Sequence, residues 1–236
     1  MAAGTLTSLK PFADDLWIAD GPIADVAGFR YPTRMAVIRL AGGGLFVWSP
    51  VALAADLKAA VDALGPVRHV VAPNSLHHLH LGAWRQVYPE ARFIAPPGLR
   101  RKRPDLRFDE DLADGSVHDW SADIDHVLVR GNLITTEVVF FHRASRTAIF
   151  TDLIQQFSPG WFSGWRAIIA RLDLMTAPQP EVPHKFRNTF VGRRAAREAL
   201  RRILAWPAER VLMAHAPPVE ADGQAFIRRR FGWLGL

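Results

Sequence analysis

The segment HVVAPNSLHHLHLG, residues 69–82, runs from a short apolar strand pattern straight into three imidazoles, His77, His78 and His80. Two other apolar runs end in similar chemistry. Thr147-Ala148-Ile149-Phe150 leads into Thr151-Asp152, and Arg210-Val211-Leu212-Met213-Ala214 leads into His215. Sheet enzymes build their sites from loops at strand ends, where a rigid strand holds a polar segment in place. Three separated segments of this kind therefore predict a sheet scaffold carrying one metal site, with ligands drawn from distant parts of the chain.

Upstream, Leu16 to Ala19, Met35 to Leu40 and Leu45 to Trp48 are short apolar runs, the last two divided by the turn Ala41-Gly42-Gly43-Gly44. They predict an antiparallel meander. Val51 to Leu64 has apolar residues at helical spacing between Pro50 and Gly65-Pro66, which predicts a helix. The His-bearing strand covers Arg68 to Ala72, and a short helix follows from about Leu81 to Val87. Tyr88-Pro89 ends that helix, since the residue before proline disfavours helical backbone. Arg92 to Ala95 is the next strand.

Beyond the polar stretch Arg103 to Asp123, strands are predicted at His126 to Val129, Glu137 to His142 and Thr147 to Phe150, with a hairpin turn at Arg143-Ala144-Ser145-Arg146. Gln155 to Phe190, rich in proline and aromatic residues, is irregular and reads as a lid or insertion. Helix, strand and helix close the chain at Val191 to Trp206, Arg210 to Ala214 and Asp222 to Phe231. Strands before helices, in an order that repeats, predict an α+β fold. Two mixed β-sheets packed together with helices on both outer faces satisfy the layer rules, within a single domain over residues 1–236.

Composition is consistent with that size of core. A chain of 236 residues buries roughly 70% of its unfolded surface. Apolar residues make up 49% and charged residues 22%, the balance of a folded globular protein rather than a disordered one. Cysteine is absent, which excludes disulfide frameworks, thiolate metal sites and cysteine nucleophiles, and leaves His, Asp, Glu, Asn and water as ligands. The net charge of +6 comes from clusters such as Arg100-Arg101-Lys102-Arg103 and Arg228-Arg229-Arg230, read as solvated helix faces. Aromatic residues do not alternate with these charges, so nucleic acid is not an expected partner. Met1 to Lys10 carries no basic segment followed by an apolar one, and no apolar run reaches about 18 residues, so a cytoplasmic protein without a transmembrane segment is expected.

The chain resembles the metallo-β-lactamase superfamily, an αβ/βα four-layer sandwich of metal-dependent hydrolases. Within it the sequence is most similar to an uncharacterised bacterial domain-of-unknown-function family. The resemblance rests on Met35 to Leu40 with Leu45 to Pro50, Asn74 through Leu81, Tyr88-Pro89-Glu90-Ala91, Ala95 to Leu99, Ser145-Arg146-Thr147, Thr151-Asp152-Leu153 and Ala214-His215. The superfamily signature H-x-H-x-D-H, laid so that it ends on His80-Leu81-Gly82, sets Ser75 at the first His, His77 at the second, Leu79 at the Asp and His80 at the third. A later His falls near Leu133, while Asp152 and His215 match the remaining two ligands. This implies water activated by metal charge, but on a reduced set of ligands.

The resemblance thus implies one divalent metal on His77, His80, Asp152 and His215, with Asp152 and His80 as the catalytic residues. Zinc suits three protein ligands plus water, and iron or manganese also accepts such nitrogen and oxygen donors. If the turn entered a helix at Ser75, His77 and His80 would share a face and His78 would not. His78 reads as closing the turn or packing on a neighbouring loop, and Asn74 as a helix cap. Trp161 and Trp165 are candidate substrate contacts. His118, His126, His142 and His184 show no paired spacing, and His69, on a predicted strand, reads as structural.

The expected function is hydrolysis of an ester, lactone, thioester or phosphodiester. The alternative is a non-catalytic relative serving as a binding or interaction module, and a third reading is metal-dependent redox chemistry. No G-x-S-x-G elbow and no phosphate loop occurs, which excludes those classes. A homodimer is compatible with every one of these readings.

Overall fold

The computed structural model describes residues 8–236, so the reading of Met1 to Lys10 lies largely outside the described residues. The chain divides into two compact units. One holds the residues up to Ile23 together with Pro32–Asp111, and the other holds Ala24–Tyr31 together with Leu112–Leu236.

Most of the first unit is a seven-stranded sheet whose order follows the chain: β1 (Lys10–Ala13), β2 (Leu16–Val26), β3 (Phe29–Arg39), β4 (Leu45–Trp48), β5 (Val67–Val71), β6 (Arg92–Ala95) and β7 (Glu110–Asp111), with the Ala24–Tyr31 ends of β2 and β3 counted in the second unit. β1 with β2 and β3 with β4 pair antiparallel; from β4 onward the pairs are parallel. Parallel neighbours need crossovers, and α1 (Ala55–Leu64), α2 (Leu81–Val87) and α3 (Leu99–Lys102) supply them. The expected helix from Val51 starts later, at Ala55. Val51 lies outside the helix, with its side chain buried and its carbonyl accepting the indole N–H of Trp84 at 2.8 Å. Trp84 itself is fully buried in a core with Val47, Leu57, Val61, Val70 and Phe93.

The second unit holds a four-stranded sheet ordered β11 (Arg210–His215), β10 (Thr147–Gln155), β9 (Glu137–His142) and β8 (Ile124–Val129). β10 pairs antiparallel with β9 and parallel with β11. Its helices are α4 (Trp165–Leu172), α5 (His184–Asn188), α6 (Arg193–Leu204) and α7 (Gly223–Phe231). α6 sets Ala196, Leu200, Ile203 and Leu204 into the core and turns Arg194, Arg201 and Arg202 outward, so the arginine clusters there are solvated faces. The irregular stretch 155–190 contains α4 and α5, which the sequence pattern did not reveal because both are short and lie among prolines. Among the described residues no helix is long and apolar enough to cross a membrane.

Candidate metal centre

In the second unit, β10 and β11 run in register from Thr147 opposite Arg210 to Phe150 opposite Met213. The register then breaks, and the next pair is Gln155 with His215, so five residues of β10 are set against two of β11. Asp152 lies in that bulge and His215 ends its strand before Pro217-Pro218. The result is a close pair: Asp152 Oδ1 lies 3.2 Å from His215 Nε2, with Asp152 5% exposed and His215 3% exposed. Bulges are a common way to re-aim a side chain at a site.

The bulge is held by Glu137. Continuing the β9–β10 register of Thr147 with His142 and Ile149 with Phe140 would bring Glu137 opposite Asp152. Instead of a main-chain ladder, the Glu137 carboxylate accepts the backbone N–H groups of Thr151 at 2.8 Å, Asp152 at 2.7 Å and Leu153 at 3.0 Å. Glu137 is fully buried. Burial first, and the Asp152 carboxylate second, push its pKa up to about 8 against the pull of those three N–H groups.

Around His215 the surroundings are aromatic. Tyr31 packs edge-on against both His215 and Phe157, with ring centroids 5.5 Å apart in each case. Behind it lies a small core of Phe157, Phe162, Ala170 and Met175, bordered by Phe29 and Trp161. Trp161 donates its indole N–H to the Arg30 carbonyl. Trp165 contacts Phe29 edge-on and is otherwise half exposed. The ammonium of Lys185 reaches the Tyr31 hydroxyl at 3.1 Å and Gln155 Oε1 at 3.3 Å.

In the first unit, the turn after β5 is shaped by Asn74, whose Oδ1 accepts the N–H groups of Leu76 and His77. Asn74 thus caps the turn and not α2, whose N-cap is His80. Residues 73–80 are turns and bends, so His77 and His80 do not share a helix face as the sequence suggested. His77 Nδ1 is 2.8 Å from the hydroxyl of Ser49, a buried residue with φ of 52°. A hydrogen bond at Nδ1 directs coordination to Nε2, the usual arrangement behind a metal-bound imidazole. Burial holds the pKa of His80 below its ordinary value.

His78 packs against the loop after α3, where Arg103 Nη1 approaches its Nδ1 at 3.2 Å and donates to its carbonyl at 3.0 Å. Burial, with Lys102 and Arg103 close by, pushes its pKa down to about 4. The unfolded chain takes up this proton near 6.5 while the folded one refuses it. Stability contributed here is present above about pH 6.5 and lost as pH falls toward 4. His78→Gln is therefore expected to flatten the decline between pH 7 and 5 by about 1 kcal/mol, after allowance for solvent screening. Urea midpoints at the two pH values check it.

His77 and His80 belong to the first unit, and Asp152 and His215 to the second, where they meet each other. Glu137 and Ser49 belong to no motif in the sequence, yet each braces a candidate ligand. A signal existed for Glu137: it opens the apolar run Val138-Val139-Phe140-Phe141, where a carboxylate needs strong partners to be buried. His118 and His126, far from any ligand spacing, both contact the hydroxyl of Ser116, at 2.8 and 3.3 Å.

Comparison with known proteins agrees with this architecture. A family model described as a domain of unknown function (DUF4336) matches residues 13–100. No curated protein matches the sequence. Among solved structures, a metallo-β-lactamase from Pontibacter korlensis superposes with a TM-score of 0.63 at 10% identity, covering 97% of this chain and 99% of that one. A metallo-β-lactamase from Hirschia baltica gives 0.62 at 12% identity, covering 97% of each chain. The metallo-β-lactamase FIM-1 from Pseudomonas aeruginosa, in its mono-zinc form, gives 0.61 at 12% identity, covering 94% of this chain and 93% of that one. The chain therefore has the metallo-β-lactamase fold, two mixed β-sheets with flanking helices.

Proposed function

We propose that this protein is a single-metal hydrolase of an ester, lactone, thioester or phosphodiester, with Asp152 and His215 as the centre of its metal site. The observation that carries the reading is the buried contact between these two donors at adjoining strand positions. A carboxylate oxygen and an imidazole nitrogen suit zinc first and iron or manganese next, and the chain has no thiolate to compete. Thr151 Oγ1, on the residue before Asp152, is buried and makes no hydrogen bond among the described residues.

A divalent ion held there supplies the charge that makes water a nucleophile near neutral pH. The chain's own contribution is to fix the donors and to orient the substrate. Glu137 holds the peptide units of residues 151–153 so that the Asp152 carboxylate is set in advance of binding. Asp152 is also proposed to accept a proton during the reaction, in its role as a catalytic residue. Tyr31 and the aromatic cluster with Trp161 form the apolar wall beside His215, assigned to the carbon skeleton of the substrate.

The test is a panel of generic ester, lactone, thioester and phosphodiester substrates, run before and after chelation and after return of zinc, iron or manganese. Hydrolysis that disappears on chelation, returns with one metal and is lost in Asp152→Ala supports the reading. Metal-free protein with no activity overturns it. The binding-module reading is favoured by the two positions where the signature loses its polar residues, since Leu79 and Leu133 are apolar and exposed at 58% and 71%.

A further inference from the structure

We propose that the outward face of α4 seats the protein on an anionic membrane surface, a role beyond the hydrolase reading and independent of it. Trp165, Ile168, Ile169 and Leu172 follow the i, i+3, i+4, i+7 spacing of one helix face, and all four point to solvent, at 55%, 54%, 44% and 67% exposed. The opposite face is satisfied: Ala170 is buried and Ala167 packs on the aromatic core. Val26, 56% exposed, sits at the β2–β3 turn, where a side chain at Gly28 would touch Arg166 and where Phe29 already touches Trp165. A contiguous exposed apolar stripe on a soluble fold marks a surface that is used.

The charge around the stripe selects the occupant. Arg166 lies over the Trp165 ring at 4.5 Å, Arg171 is exposed on the same helix, and Arg30 stands over Trp161. α4 contains no acidic residue. Asp173, which follows α4, is paired with Lys185, and Asp25 at the β2–β3 turn accepts the N–H of Gly28. Apolar residues flanked by arginine and tryptophan suit a helix lying in the lipid headgroup layer, with the guanidinium groups on phosphate. A second copy suits the face less well, because a two-fold contact would set the same arginines against one another.

Cosedimentation with vesicles of phosphatidylcholine, with and without about one-third phosphatidylserine, tests the proposal. The wild-type protein is expected to sediment with the anionic vesicles and weakly with the neutral ones. Ile168→Glu with Leu172→Glu should lower partitioning by about tenfold or more. Arg166→Ala with Arg171→Ala should lower it by about tenfold on anionic vesicles only, which keeps the test valid even if the first variant fails to fold. Absence of wild-type binding, or equal binding by every variant, overturns the proposal. So does light scattering that shows a dimer dissolved by the glutamate substitutions. Substrate turnover is not a readout, so failure here leaves the hydrolase reading to its own test.

Discussion

Glu137→Ala is expected to lower the melting temperature by about 10 °C and to abolish retention of metal. The carboxylate satisfies three consecutive main-chain N–H groups in a fully buried setting. Each buried donor left unsatisfied costs about 1–3 kcal/mol, so a loss of about 4 kcal/mol is a conservative sum. At about 2–4 °C per kcal/mol for a chain of this size, the melting shift follows. Nothing else in the sheet replaces those bonds, because β10 leaves the β9 ladder after Ile149. With the bulge loosened, Asp152 loses its fixed position beside His215. Glu137→Gln retains one acceptor oxygen and should fall between wild type and alanine. Thermal melts followed by circular dichroism, with metal measured on the same samples, check both expectations; an alanine variant that melts with the wild type would show that the bulge does not depend on this side chain.

Gly131→Ala is expected to be nearly as costly, at about 3–4 kcal/mol, for a reason confined to backbone geometry. Gly131 has φ of 89°, and a Cβ there would lie 2.7 Å from Gly192 Cα and 2.8 Å from its carbonyl oxygen. The carbonyl of Gly131 also accepts the N–H groups of Val191 and Gly192, tying the end of β8 to the start of α6. A methyl group must push that main chain away and break the tie. Gly98→Ala is the control: its φ is 84°, but nothing lies within 4 Å of the added carbon. That substitution should cost only the left-handed strain, about 1 kcal/mol. Denaturant midpoints for the two variants separate the steric cost from the conformational one.

Most of the sheet was legible because short apolar runs with turn residues at both ends leave few alternatives. β4, β6, β9 and α2 occupy the spans that the pattern predicted. β10 runs five residues beyond the expected Phe150, since its last part is supported by the Glu137 side chain and not by an apolar strand period. α4 and α5 were hidden by their length and by the prolines around them. At the site, His215 was legible as a polar residue ending a buried strand, and Asp152 as one following an apolar run, although β10 carries on past it to Gln155. Their partners were not: Glu137 precedes Asp152 by 15 positions and Ser49 precedes His77 by 28, and only tertiary pairing brings such residues together. His77 and His80 share no helix face because Asn74 holds the segment in a turn before α2 begins.

Whether Asp152 and His215 hold a metal is decided by elemental analysis of the protein purified without added metal, beside the Asp152→Ala, His215→Ala double variant. Close to one equivalent of zinc, iron or manganese per wild-type chain is expected, and none in the double variant. Wild-type protein that carries no metal, and takes none up on titration while remaining folded, would contradict it.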